Sequence, residues 1–137
     1  MQMIETHQVL PLVLQEYPKS RKYFISQVED WLPEEGEISP HRILSITSKI
    51  IKEEFLKGNY DDSEKLFELI EKFIREGCET VSNAACTNFI ENLQNYIGSN
   101  GFESSHFISL LGPESRKYAK AWDKFTGVDT EGINDMV

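Results

Sequence analysis

One stretch constrains the fold of this chain more than any other. From Ser39-Pro40 onward, apolar side chains fall at Ile43, Leu44, Ile46, Ile50, Ile51 and Phe55. Gaps of three and four residues match the α-helical period, and Ser-Pro is the pair favoured at the N-cap and first helical position. An apolar arc this wide cannot be covered by one neighbour. The helix, running to about Leu56, is therefore expected at the centre of a helical protein with partners on two sides.

The flanking sequence repeats the pattern. Residues 2–17 carry Leu10, Val13, Leu14 and Tyr17, with Pro11 in a first turn or at a kink. After "YPKS", a helix over 19–32 places Phe24, Val28 and Trp31 at i, i+4, i+7, and Pro33, Gly36 and Pro40 mark a loop over 32–40. Gly58-Asn59 stops the next helix, and Asp61 and Asp62 suit the N-terminus of the one after. That helix, 61–76, buries Leu66, Leu69, Ile70 and Phe73 and ends at Gly77. A helix over 79–97 comes almost at once, which forces an antiparallel hairpin. A loop over 98–106, a short helical turn from Phe107 and a last helix from Pro113 to Thr126 complete the chain. No segment alternates with period two between turn signals. The expected fold is all-α, with six to seven helices in antiparallel hairpins, as a bundle or small α-solenoid. One domain is expected over 1–127, with a mobile acidic tail over 128–137.

In the last helix, Tyr118, Trp122 and Phe125 fall at i, i+4, i+7, with Arg116, Lys117, Lys120 and Lys124 elsewhere on its surface. Facing outward, these aromatics would make a base-stacking platform. Aromatics at one helical period usually pack inward, so they are expected to dock on the preceding layers and leave the cations in water.

With 137 residues and 39% hydrophobic content the chain can build a core without metal or disulfide staples. Its 14 basic and 23 acidic side chains give a net charge of −9, which disfavours nucleic acid and anionic membranes as partners. Cys78 and Cys86 sit eight residues apart, about 12 Å along a helix and beyond disulfide reach. Reduced thiols, no signal-peptide pattern and no long apolar run point to the cytoplasm.

Candidate chemistry is thin. Glu103 and His106 have the i, i+3 spacing of di-iron bundles, but that site needs a second pair and further glutamates. Cys86 lies beside Ala84 and Ala85 in a core-like helix, and there is no phosphate-binding glycine loop. No enzyme, cofactor or metal is expected. Charge is the more telling feature. Between Arg75 and Arg116 there is no lysine or arginine, whereas Glu76, Glu79, Glu91, Glu103 and Glu114 are acidic. Asn88, Asn92 and Asn95 add an amide stripe, and Glu34, Glu35 and Glu37 form a second base-free acidic run. The expected partner-binding residues are Glu76, Glu79, Asn88, Glu91, Asn92 and Asn95, with Glu34, Glu35 and Glu37 as a second patch.

Two stretches, "NAACTNFIENLQNYI" (83–97) and "LLGPESRKYAKAWDKFTG" (110–127), carry a family resemblance. Over residues 39–127 the chain resembles small, acidic, all-helical bacterial proteins found near polymorphic-toxin loci. The resemblance implies an immunity protein that binds and neutralises a cognate, cationic toxin domain, of the contact-dependent growth inhibition or a related type. The alternative is a non-enzymatic, α-solenoid-like adaptor for another protein.

Overall fold

A computed structural model describes residues 3–25, 39–100 and 104–126. Seven α-helices occur among them: α1 (Val9–Glu16), α2 (Pro40–Leu56), α3 (Ser63–Glu76), α4 (Glu79–Ala84), α5 (Glu91–Asn100), α6 (Ser104–Leu110) and α7 (Pro113–Thr126). Residues 21–25 are also helical. A π-helical segment, Ala85–Ile90, joins α4 to α5, so that 79–100 is one continuous rod. The fold is all-α, and the described residues contain no strand. One isolated bridge pairs Ile4 with Gly77.

Local chemistry sets most of these boundaries. Ser39 Oγ accepts from the His41 amide at 3.2 Å and Pro40 takes the first helical position, as the Ser-Pro signal requires. The α2 helix stops at Gly58, whose φ of 75° lies in the left-handed region that glycine enters freely. Asp62 adopts the left-handed region too (φ 63°) and makes no side-chain cap, so the expected capping by its carboxylate does not occur. Gly77 closes α3 with an amide donating to the Phe73 carbonyl at 3.0 Å, and α4 turns back at once. The helix expected from residue 2 begins at Val9 instead. Ile4 is drawn away by hydrogen bonds to the α3–α4 connection: its amide donates to the Glu76 carbonyl and its carbonyl accepts from the Cys78 amide, both at 2.9 Å. The second half of the expected 19–32 helix, the 32–40 loop up to residue 38, and the tail lie outside the described residues.

Buried apolar side chains form one contiguous cluster that draws on α1 to α7, which makes this a bundle and not a solenoid of separate layers. The 79–100 rod runs through the middle and packs against α2, α3 and α7. The α2 helix lies between this rod and α1, so its wide apolar arc does face two neighbours. At the heart sits Phe67, stacked on Phe55 at 6.4 Å and edge-on to Phe89 at 5.2 Å and Phe107 at 6.1 Å.

The α7 helix departs from expectation. Its buried face is Ser115, Ala119 and Asp123, at i, i+4, i+8, and not the aromatic stripe. Tyr118 and Trp122 are only partly buried, and Phe125 is 83% exposed, stacked on Trp122 at 6.0 Å. The helix is turned by about one residue, roughly 100°, from the phase that its aromatics suggest. The reason is polar.

Candidate functional site

The polar groups of the bundle gather along the seam where α7 meets α3 and the rod. Glu71 projects from the apolar face of α3 and is only 7% exposed. Its Oε2 accepts from the Glu114 amide at 3.0 Å, and its Oε1 accepts from the Ser115 amide at 3.0 Å and the Ser115 hydroxyl at 2.9 Å. These are the second and third residues of α7, whose amides have no acceptor within their own helix. Gly112, just before Pro113, has no side chain to cap them, so a carboxylate from another helix does so at the positive helix end. Glycine is needed there: a Cβ at Gly112 would lie 2.5 Å from Glu71 Oε1. Arg75 Nε stands 3.9 Å from the same carboxylate and adds little.

Further along the seam, Glu91 accepts from the Tyr118 hydroxyl at 2.6 Å. Gln94 donates from Nε2 to the Ala119 carbonyl at 3.0 Å and to Asp123 Oδ1 at 2.8 Å, and both Gln94 and Asp123 are 2% exposed. Gln94 Oε1 is buried without a hydrogen-bond partner. Burial, then the hydrogen bond to Glu91 and its charge, hold the Tyr118 phenol well above its ordinary range.

The residues of the first expected partner-binding patch do not share one exposed face. Glu91 is only 9% exposed and is committed to Tyr118, so it belongs to the seam and not to the surface. Asn88 and Asn92 turn toward α2: His41 Nδ1 donates to Asn88 Oδ1 at 2.6 Å, and Asn92 Nδ2 donates to Ser48 Oγ at 3.3 Å and to the Asn88 carbonyl at 2.8 Å. A rod with neighbours on three sides has little face to spare, and the π segment, with more residues per turn than an α-helix, re-phases the side chains of α5. Asn95 and Glu79 are exposed, while Glu76 is half-buried and 3.7 Å from Arg75. The structure therefore does not gather the first patch into one surface. Glu34, Glu35 and Glu37 lie outside the described residues. His106, set aside as a metal ligand, packs against Tyr60 at 3.9 Å and Phe55 at 5.4 Å. Among the described residues no group of three or more His, Cys, Asp or Glu could hold a metal ion.

Comparison with known families places this architecture. The model of DUF7674, a domain of unknown function, matches residues 10–127, from α1 to one residue past α7. The chain belongs to the DUF7674 family. No curated protein and no solved structure was found to match it.

Sequence reasoning missed Glu71, Gln94, Ser115 and Asp123. One signal was present: Glu71 interrupts the α3 apolar face between Ile70 and Phe73, and a carboxylate in such a place needs buried donors.

Cys86 lies on the π segment facing this seam. Burial, then the carboxylates of Glu91 and Glu71, push its thiol up to about 11 from the usual 9.0. It is therefore a protonated, unreactive thiol at neutral pH. Because the folded-state value is raised, the unfolded chain loses this proton first as the pH rises. The stability tied to Cys86 is full below pH 9 and drains away as the pH climbs through about 11. Urea denaturation from pH 8 to 11 should show this decline, on the order of 2 kcal/mol, and Cys86→Ala should flatten that part of the slope.

No helix among the described residues is long and apolar enough to cross a membrane.

Proposed function

We propose that this DUF7674 domain acts by binding another protein and not by catalysis, and that its partner is cationic, in the manner of an immunity protein that neutralises a cognate toxin domain. One observation carries the reading. The 14 lysines and arginines are unevenly spread: none occurs over 23–41, 76–115 or 125–137, and these base-free runs hold 13 of the 23 acidic side chains. Five of them (Glu29, Asp30, Glu34, Glu35 and Glu37) fall within nine residues.

Concentrated charge of one sign steers a partner of the other and raises the association rate 10- to roughly 1,000-fold at low salt. Toxins that grip nucleic acid carry the cations this would attract. The carboxylates of Glu71 and Glu91 are occupied in holding helices together, which leaves recognition to the other acidic residues. Glu34, Glu35 and Glu37 remain the contact residues of choice, with Glu79 as an exposed addition.

The test is co-expression with the product of the adjacent gene, scored by cell survival and co-purification. The triple change of Glu34, Glu35 and Glu37 to glutamine should slow association at least tenfold at low salt while leaving thermal stability unchanged. An unaltered rate, in a variant that remains folded, would remove the acidic stretch from the interface.

A further inference from the structure

The α7 helix presents a surface of the opposite character. Lys117, Ala121 and Lys124 line its exposed side, with Phe125 at the margin and Trp122 stacked behind it. Lys117 is 3.3 Å from Glu114 but its side chain remains 75% accessible. Arg116 keeps a buried Nε–H with no acceptor. An aromatic ring as open as Phe125 gives up burial that a helix of this kind could have had by turning its other face inward. The polar seam forbids that turn, because it would break the Glu71, Glu91 and Gln94 contacts together.

We infer that this face is a second docking surface, for an acidic polypeptide segment carrying an apolar side chain. The cations select the charge. Lys117 and Lys124 stand seven residues apart, about 10 Å along the helix, so the fitting ligand has carboxylates about that far apart flanking a side chain that covers Phe125. Trp and Phe are among the side chains enriched at interface centres, and lysines suit the polar rim around them. Nucleic acid would also meet the lysines and the rings, but a chain of net charge −9 repels a polyanion as a whole, whereas a short acidic segment engages only the local field. This surface does not rest on the toxin reading. If both hold, the domain bridges a cationic partner and an acidic one.

Trp31→Phe leaves Trp122 as the single tryptophan reporter. Its emission is followed while three probes are titrated: a twelve-residue peptide with glutamates flanking a leucine, the same peptide with glutamines, and a twelve-nucleotide single-stranded DNA. Saturable change with the acidic peptide is expected, weakened at least tenfold by the glutamine peptide, by 0.5 M salt and by the pair Lys117→Glu and Lys124→Glu. Phe125→Ser should weaken it while leaving the unfolding midpoint in place. No response, a response unmoved by the lysine pair, or tighter binding of the DNA overturns the proposal. So does emission that depends on protein concentration alone, which assigns the face to a second copy. Peptide binding seen only after removal of residues 127–137 overturns it too, since the acidic tail is then the occupant.

Discussion

Replacing Phe67 with alanine should lower the unfolding free energy by about 4 kcal/mol. The ring is 2% exposed, and three other aromatic rings hold it from α2, the π segment and α6. Each neighbour is itself packed from behind, so the space vacated cannot collapse, and the cavity adds its cost to the lost transfer energy. Phe67→Leu keeps much of the volume and should lose only about 1.5 kcal/mol. Urea denaturation by circular dichroism measures both, and an unchanged denaturant slope confirms that the folded state is lost as one unit. A loss under about 1 kcal/mol for the alanine variant would mean that the four rings do not meet.

The second large effect is at Glu71. Its replacement by alanine strips two backbone amides and one hydroxyl of their acceptor in a buried place. Each buried donor left unpaired costs about 1–3 kcal/mol, although water entering the space of the carboxylate recovers part. A total near ~3 kcal/mol is expected. Glu71→Gln keeps one carbonyl oxygen but turns an amide NH2 toward a helix N-terminus, so it should lose about 2 kcal/mol. Gly112→Ala acts through the same contact, because its methyl occupies the carboxylate's position. The two changes are therefore coupled: once Glu71 is alanine, the added methyl at Gly112 should cost far less than it does alone.

The legibility of each element in the sequence depends on what that element rests on. The α2 and α3 helices and the start of the 79–100 rod are fixed by apolar spacing and by local stops such as Ser39-Pro40, Gly58 and Gly77, which need no knowledge of neighbours. They lie within two residues of where the sequence places them; the π segment inside the rod was not foreseen. Tertiary polar contacts are different. Nothing local to residues 113–126 reveals that a carboxylate more than forty positions earlier will cap them, so the aromatic stripe looked like the buried face. Asn88, Glu91 and Asn92 misled for a related reason. Polar side chains on a helix suggest solvent, but a rod wrapped on three sides uses them as ties between helices.

Hydrogen exchange at the Glu114 and Ser115 amides tests most directly that a buried carboxylate holds α7 and so turns Trp122 and Phe125 outward. Amides in the first turn of a helix ordinarily exchange fast, having no acceptor in their own helix. Held by Glu71, both should instead exchange as slowly as the amides of the α3 core and lose that protection in Glu71→Ala while the α3 amides keep theirs. Fast exchange of both amides in the unmodified protein would contradict the seam, and with it the outward face of α7.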